Sequence, residues 1–269
     1  MVSGMRYADV LGLSAGDVVS IVGSGGKTSL LWRLAEENRE RGVLVSTTTK
    51  MWMPEAEAFD LEIFEDGCRG DLRSPAGGHS PPLQGFDSVP QYCGRPVAAP
   101  MGVSLFYGAV EDGKISAPDM GRLEDLSAEV GLMFLECDGA KARPLKGWAL
   151  HEPVVPEFTS VTIGVLPLWV MGQVVCEETV HRMPEFCRMT GASPGETLTA
   201  LHLTRVISHP EGLFAKALGR RVLFLNDRGT AADSQWPPLR DAQMVLTCLE
   251  EPMQVFTGNI HQGTIEVLR

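Results

Sequence analysis

A glycine-rich segment between an apolar run and an amphipathic pattern most constrains how this chain can fold. It opens with the β-branched run VVSIV from Val18, passes through three glycines and ends in Lys-Thr-Ser. Apolar residues then recur at helical spacing, with Leu30, Leu31 and Leu34 on one face. Strand, glycine loop, lysine, hydroxyl and helix in this order are typical of a phosphate-binding loop. Its candidate nucleotide-binding residues are Gly23, Ser24, Gly25, Gly26, Lys27, Thr28 and Ser29.

The residue types of this loop match what a polyphosphate requires. A Cβ would hold the backbone away from the phosphate oxygens, and glycine removes it and permits a positive φ. The backbone N–H groups can then converge on phosphate, and the first helical turn adds unpaired donors. We expect Lys27 to reach the β- and γ-phosphates as a catalytic residue, and the Thr28 hydroxyl to ligate Mg²⁺.

The spacing of the loop is shorter than usual. The common pattern G-x-x-x-x-G-K-[ST] would place a glycine at position 21, where this chain has Ile21. The pattern present is G-x-x-G-K-T, from Gly23 to Thr28, and it is similar to the short loop of Mur ligases and folylpolyglutamate synthases. A merely glycine-rich turn between strand and helix is the alternative, but it does not account for Lys-Thr directly after Gly-Gly.

A second apolar strand is predicted from Val43 to Thr49, before Lys50. Two apolar strands joined by a helix form a βαβ unit, so we expect a parallel sheet buried on both faces. Ligands of such sheets lie at the carboxyl ends of the strands. Thr48, Thr49 and Lys50 are therefore candidates for a further Mg²⁺ or phosphate contact. The alternative is that threonines simply suit strands.

Two acidic residues, Glu136 and Asp138, follow the apolar run GLMFL. A Walker B strand delivers a carboxylate to Mg²⁺ or to the attacking water in this way. The two acids have the same parity if the strand continues, so both side chains can point into one site. Because an unpaired buried carboxylate is costly, we interpret both as Mg²⁺-binding or catalytic residues. Cys137 between them is interpreted as a small buried apolar residue.

A segment dense in charge and proline comes next. Lys141, Arg143 and Lys146 are candidates to clamp a phosphate or an anionic co-substrate. His151 and Glu152 are candidates for a metal site or an acid–base pair. The alternative is a rigid crossover loop whose charges pair with one another.

The remaining pattern continues the α/β alternation. A helical region is predicted around His181 and Arg182, which join the candidate anion-binding residues, and a further helix is predicted to begin near Ser193. More strands are predicted at 159–166, 221–227, 244–249 and 253–257. Earlier in the chain, after the second predicted strand, residues at about 53–100 form a long Pro/Gly-rich insertion. We expect a mobile surface excursion there, either a lid over the site or disorder without function.

Composition excludes several classes of protein. The chain has 269 residues, 44% of them hydrophobic, which suffices for a full core. A net charge of −11 argues against a nucleic-acid-binding surface, and no apolar run is long enough to span a membrane. The N-terminal residues lack a signal pattern, so we expect a cytoplasmic protein. The six cysteines contain no C-x-x-C, and disulfides are not expected in that compartment.

The combined motifs resemble the YqeC family, whose members are accessory proteins of selenium-dependent molybdenum hydroxylases. The resemblance covers about residues 15–230, and its most specific part is the signature between Glu136 and Pro156. The motifs that carry it are GSGGKT from Gly23, TTTK from Thr47, ECDGAKARPLK from Glu136, HEPVVP from His151 and VHR from Val180.

The resemblance implies one P-loop NTPase-like domain over 1–269 and a role in maturing a molybdenum hydroxylase. Family members tend to have Leu-Asn-Lys after a late strand, similar to the guanine-reading motif of GTPases. This chain has Leu225-Asn226-Asp227-Arg228 instead. Asn226 is thus a candidate nucleotide contact, and the base stays open between ATP and GTP.

Three functions are compatible with these patterns. The first is a Mg²⁺-dependent NTPase that helps mature a molybdenum hydroxylase, with the client enzyme or a selenium or cofactor carrier as its partner. The second is an ATP-dependent small-molecule kinase or ligase with an anionic co-substrate. The third is a nucleotide-gated binding module that hardly hydrolyses its ligand.

Overall fold

The computed structural model describes residues 6–64, 67–69, 101–228, 238–250 and 252–269. Most of the predicted insertion, residues 65–66 and 70–100, lies outside the described residues. The helices are α1 (Tyr7–Val10), α2 (Lys27–Glu37), α3 (Met120–Ser127), α4 (Met183–Thr190), α5 (Ala200–Ser208) and α6 (Pro238–Cys248). Short 3₁₀ turns lie at Arg39–Arg41 and Ala56–Ala58.

The strands are short and distributed along the described chain. They are β1 (Asp17–Gly23), β2 (Val43–Thr47), β3 (Lys50–Trp52), β4 (Leu61–Phe64), β5 (Gly67–Arg69), β6 (Val103–Tyr107), β7 (Val110–Glu111), β8 (Lys114–Ser116), β9 (Leu132–Glu136), β10 (Leu145–Lys146), β11 (Val161–Pro167), β12 (Val180–His181), β13 (Arg220–Asn226), β14 (Gln254–Asn259) and β15 (Thr264–Val267).

Ten of these strands form the central sheet, in the order β15-β14-β13-β11-β1-β9-β2-β6-β4-β5. The eight inner strands pair in parallel, and only the edge strands β15 and β5 pair antiparallel to their neighbours. The prediction of an α/β fold with a mostly parallel sheet is therefore confirmed. Because β1 and β9 are neighbours, the glycine loop and the acidic residues emerge at the same edge of the sheet.

Helices cover both faces of the sheet, as predicted. Alternate residues of β1 show why: Val19 and Ile21 pack with α1 and α2, whereas Val18 and Val22 pack on the opposite face with α3 to α6. The same alternation runs through β9, where Phe134 lies on the α2 side. Parity therefore directs Glu136 toward α2 and Cys137 toward the opposite face.

Several local predictions are wrong. His181 lies at the end of strand β12 and Arg182 precedes α4, so neither belongs to a helix. The predicted strand at 244–249 lies almost wholly within α6, because a short apolar run does not separate a strand from a buried helical segment. Ser193 lies in a turn, and the next helix begins at Ala200, where Thr199 and His202 form a capping box.

Candidate functional site

The glycine loop is packed so closely that side chains are excluded from it. Gly23 has a φ of 107°, and a Cβ there would lie 2.2 Å from the carbonyl oxygen of Val165. Gly26 has a φ of 140°, and its Cβ would lie 2.4 Å from Nδ2 of Asn226. Asn226 in turn donates from Nδ2 to the Gly25 carbonyl oxygen at 2.8 Å. The ends of β11 and β13 thus fix the shape of the loop.

Lys27 begins α2 directly after the loop, with Gly26 as the N-cap residue. Its side chain is buried, and Nζ donates to the Gly23 carbonyl oxygen at 2.8 Å and lies 3.4 Å from Oδ1 of Asp138. Burial opposes its charged form, but Asp138 and Glu136 outweigh that effect and raise the pKa of Lys27. The loop therefore presents a permanent positive charge at a helix N-terminus, where anions are favoured.

Thr28 and Glu136 form the second feature of the site. The Thr28 hydroxyl donates to Oε2 of Glu136 at 2.6 Å, across the gap between α2 and the end of β9. Glu136 is 6% exposed and Thr28 is exposed, so the pair lies at the edge of the solvent. Burial raises the pKa of Glu136, although Lys27 and the Thr28 hydrogen bond act in the opposite direction.

These two oxygen donors match the preferences of Mg²⁺. Magnesium is usually held by one or two protein oxygens, with phosphate and water completing its shell. Within the described ranges, no group of three or more His, Cys, Asp or Glu residues is arranged to hold a metal ion. The donor set thus suits a hard cation that arrives with a phosphate ligand rather than a zinc site.

Asp138 has a different environment from Glu136. Its two carboxylate oxygens each lie 3.1 Å from the Gly23 N–H, and Oδ2 accepts from Nζ of Lys146 at 3.2 Å and from Nε1 of Trp148 at 2.8 Å. It is fully buried, yet Lys27 and Lys146 together with these hydrogen bonds outweigh burial and lower the pKa of Asp138. Asp138 therefore stays ionised behind the loop.

The ion pairs continue from Asp138 away from the loop. Nζ of Lys146, which is fully buried, also lies 3.0 Å from Oε2 of Glu152 and donates to the Gly139 carbonyl oxygen at 2.7 Å. Arg182 pairs with the same oxygen of Glu152. Strands β10 and β12 bring these residues together, since Lys146 lies opposite His181 in their parallel pairing.

Lys141, Arg143 and His151 lie at the surface, whereas His181 adjoins the chain of charges because it pairs with Lys146 in the small sheet. Lys141 and Arg143 are exposed, and Arg143 donates to the Glu178 carbonyl oxygen at 3.4 Å. His151 is exposed, and burial followed by the nearby Arg182 lowers the pKa of His181. Because Lys146 is buried against two carboxylates, it does not share a solvent-facing clamp with Lys141 and Arg143.

Two of the three threonine hydroxyls at the end of β2 bind backbone carbonyl oxygens, whereas Oγ1 of Thr49 is buried and has no partner among the described residues. Thr47 donates from Oγ1 to the Glu136 carbonyl oxygen at 2.9 Å, and Thr48 donates to that of Val154 at 2.6 Å. Lys50 lies on β3 and pairs with Glu111 at 2.9 Å, with both side chains exposed. In this structure the Thr48 hydroxyl and Lys50 are thus engaged with protein groups.

Two buried polar atoms beside the loop lack partners in the described part of the chain. They are Oγ of Ser24 and Oδ1 of Asn226. Buried polar atoms are nearly always hydrogen-bonded, so each exception requires an explanation such as an absent ligand or water. Both lie against the glycine loop, which supports a ligand site there.

Sequence reasoning missed one residue of this site. Trp148 is 1% exposed and directs its indole N–H onto Asp138. A buried tryptophan needs an acceptor for that N–H. Since the sequence does not indicate which acceptor a tryptophan finds, the only available signal was its place between Lys146 and His151.

Comparisons with known proteins support one family. The family model described as YqeC protein matches residues 19–184. A relative from Escherichia coli (strain K12), named "Uncharacterized protein YqeC", is 33% identical over 214 residues, which covers 78% of this chain and 75% of the relative. No solved structure matches the chain. None of the helices in the described ranges has the length and apolar character needed to cross a bilayer. The matched region contains the glycine loop, the two acids and the Lys146–Arg182 segment, and the chain belongs to the YqeC family.

Proposed function

We propose that this protein is a Mg²⁺-dependent nucleoside triphosphatase that acts as an accessory factor in maturing a selenium-dependent molybdenum hydroxylase. One observation carries the nucleotide part of the proposal. The Thr28 hydroxyl, in the first turn of the helix after the glycine loop, contacts the Glu136 carboxylate at the end of the neighbouring strand. A hydroxyl and an acid in these two places form the magnesium site of P-loop enzymes.

The roles of the residues follow from their positions. The loop N–H groups and Lys27 would bind the β- and γ-phosphates, and Thr28 and Glu136 would hold the Mg²⁺ that bridges them. The metal would neutralise charge that develops on the phosphate oxygens. Asn226, whose side chain contacts the loop, is the candidate link to the base of ATP or GTP. The accessory role rests on the family resemblance alone, since the name of the relative assigns no activity.

Calorimetric titration with ATP and GTP, with and without Mg²⁺, tests the nucleotide site. The wild type is expected to bind one of them at micromolar concentration, and Lys27→Ala is expected to weaken binding at least tenfold by removing a charge-assisted contact. Lys216→Ala, which removes an exposed lysine, is the matched control. A folded wild type that binds neither nucleotide, or a Lys27→Ala variant that binds equally well, would exclude the proposed site.

The accessory role requires a separate test in cells. A strain that lacks this protein is complemented with wild type or with Lys27→Ala, and the activity of a selenium-dependent molybdenum hydroxylase is measured in extracts. The proposal expects loss of activity without the protein and no rescue by Lys27→Ala. Full activity in the deleted strain would refute the accessory role and leave the nucleotide site intact.

A further inference from the structure

The carboxylate of Asp138 already holds as many donors as it can accept. A carboxylate offers about four lone-pair sites. Gly23, Lys146 and Trp148 donate to it at 2.8–3.2 Å, and the Lys27 ammonium lies 3.4 Å away. The side chain is fully buried and faces the back of the loop. Little capacity remains for a metal ion or for a water that it would deprotonate.

We propose that Asp138 is a positioning residue that fixes Gly23 and Lys27, and that Trp148 and Lys146 are further positioning residues that hold its carboxylate. Glu136 alone then supplies the acidic magnesium ligand. This inference rests on the proposed function, because it assigns tasks within the same nucleotide site.

The contacts of Lys27 explain why such a residue is needed. A lysine has a long flexible side chain, and fixing it in one rotamer is entropically unfavourable. The Gly23 carbonyl oxygen accepts one of the three N–H donors of the ammonium, and the ion pair with Asp138 fixes its direction. The proposal requires that a donor not bound to Gly23 reaches a phosphate oxygen. A lysine held this way needs little reorganisation when the nucleotide binds, which favours affinity.

The contacts of Asp138 explain why Trp148 and Lys146 matter. The indole N–H and the Lys146 ammonium both bind Oδ2, so they fix the rotation of the carboxylate. Lys146 is itself fixed by Glu152, which also pairs with Arg182. A buried chain of alternating charges is stable only when each member has its partner. Trp148→Phe is the mildest probe, because it removes one donor and keeps an aromatic ring.

The decisive measurement separates metal binding from positioning. The dissociation constant of the nucleotide is measured with Mg²⁺ and with EDTA, and the ratio of the two gives the magnesium increment. Trp148→Phe is expected to weaken binding by roughly tenfold in both conditions, as for loss of one hydrogen bond to a charged group, with the increment unchanged. Asp138→Asn should act in the same direction more strongly. Glu136→Gln should instead abolish the increment.

Controls make this result specific. Trp52→Phe, at an exposed tryptophan on the small β3–β8–β7 sheet, should change neither constant. Lys146→Met should weaken binding, and Lys146→Arg should restore part of it because the positive charge returns. Loss of the magnesium increment in Trp148→Phe or Asp138→Asn, with binding in EDTA unaffected, would overturn the proposal and make Asp138 a metal ligand.

A second readout does not depend on nucleotide. Hydrogen exchange of the Gly23 amide in the free protein should be faster in Asp138→Asn and Trp148→Phe than in wild type, because that N–H donates to Asp138. Unchanged exchange in folded Asp138→Asn would refute the positioning role. If the wild type binds no nucleotide, the proposed function fails, and the Gly23 amide still decides whether Asp138 holds the loop.

Discussion

The two acids of the candidate site, Glu136 and Asp138, have different surroundings. Glu136 lies on the loop side, accepts a hydrogen bond from Thr28, and has a raised pKa because it is buried. Asp138 lies two residues later, accepts from Gly23, Lys146 and Trp148, and has a lowered pKa. Two carboxylates whose surroundings shift their pKa values in opposite directions usually have different tasks.

The difference indicates which acid is free to change partners. Burial without full charge compensation leaves Glu136 ready to bind a cation, because a metal ion would relieve the desolvation of its ionised form. Asp138 is already compensated by two ammonium groups, so a cation would gain less there. The region around Asp138 therefore fixes the site, and the region around Glu136 is where ligand binding is expected.

The largest expected effect is an opposite response of stability to removal of the two charges. Asp138→Asn leaves Lys27 buried without its ion-pair partner and Lys146 with Glu152 alone, so it should lower the free energy of unfolding by about 3–5 kcal/mol at pH 7. Glu136→Gln removes a carboxylate that burial disfavours, so its free energy of unfolding should stay close to wild type or rise slightly. Urea denaturation of both variants measures the difference.

The directions of these two stability effects follow from the directions in which the pKa values of Asp138 and Glu136 are shifted. A lowered pKa means that Asp138 stabilises the fold above its unfolded-state pKa and that this is lost as pH falls through its folded-state pKa. A raised pKa means the reverse for Glu136: its contribution is favourable at low pH and is lost as pH rises through its folded-state value. Equal destabilisation by the two variants at pH 7 would end the contrast between the two acids.

A smaller loss of stability is expected when a methyl group is added at Gly23, where the glycine loop begins. Gly23→Ala places a Cβ 2.2 Å from the Val165 carbonyl oxygen at a positive φ. Strain and overpacking together should lower the free energy of unfolding by about 3 kcal/mol. Gly16→Ala is the control, since Gly16 has a φ of 85° and a Cβ there would meet nothing within 4 Å, so it should cost only about 1–2 kcal/mol.

Both glycine variants carry the cost of a positive φ, but only Gly23→Ala also places a Cβ against β11. The difference between their free energies of unfolding therefore measures the effect of the contact with β11. If Gly23→Ala and Gly16→Ala destabilise equally by urea denaturation, then the end of β11 does not fix the loop. The loop would then be free to move independently of the region behind it.

Much of the fold could be predicted from the sequence because its signals are local. The run from Val18 is short, apolar and β-branched, as a buried strand requires, and the helix that begins at Lys27 has apolar residues at helical spacing. The parity argument required the strand to continue to Asp138, but β9 ends at Glu136. Glu136 and Asp138 nevertheless both contact groups of the loop and its helix.

The parts that could not be predicted depend on distant partners. The sequence around His181 favours neither strand nor helix clearly, and its two-residue strand exists because β10 lies beside it. In the same way, no local pattern indicates that Trp148 donates to Asp138 or that Lys146 turns inward to two carboxylates. The sequence showed that these charges were close together but not which of them pair.

The next smaller expected effect is the pH dependence of magnesium binding, which tests the contrast between Glu136 and Asp138. Mg²⁺ needs the ionised form of Glu136, and burial raises the pKa of that carboxyl, while Lys27 and Lys146 act to lower it and Asp138 to raise it. Below its pKa, the apparent magnesium affinity should therefore fall by about tenfold per pH unit, as one proton is displaced.

Titration of the nucleotide-bound protein with Mg²⁺ at a series of pH values above the ordinary glutamate pKa measures this slope, because burial raises the pKa of Glu136. Glu136→Gln should bind the metal weakly and without that slope. A slope that persists in Glu136→Gln would mean that another group, such as the nucleotide phosphate, releases the proton.

The smallest expected effect concerns Cys137, which lies between the two acids. Its side chain is fully buried on the face opposite α2, and burial raises the pKa of the thiol to about 12. At pH 8 only about one thiol in ten thousand would be ionised, and thiolate is the reactive form. Iodoacetamide should therefore leave Cys137 unmodified in the folded protein while it alkylates Cys248, which is exposed on α6.

Peptide mass spectrometry measures the alkylation of both cysteines in one sample, and unfolding in urea should make them react alike. Alkylation of Cys137 in the native protein at a rate comparable to that of Cys248 would mean that the end of β9 opens often. In that case the surroundings of Glu136 and of Asp138 would change each time the strand end opens. The division between a ligand-binding and a positioning carboxylate would then not hold.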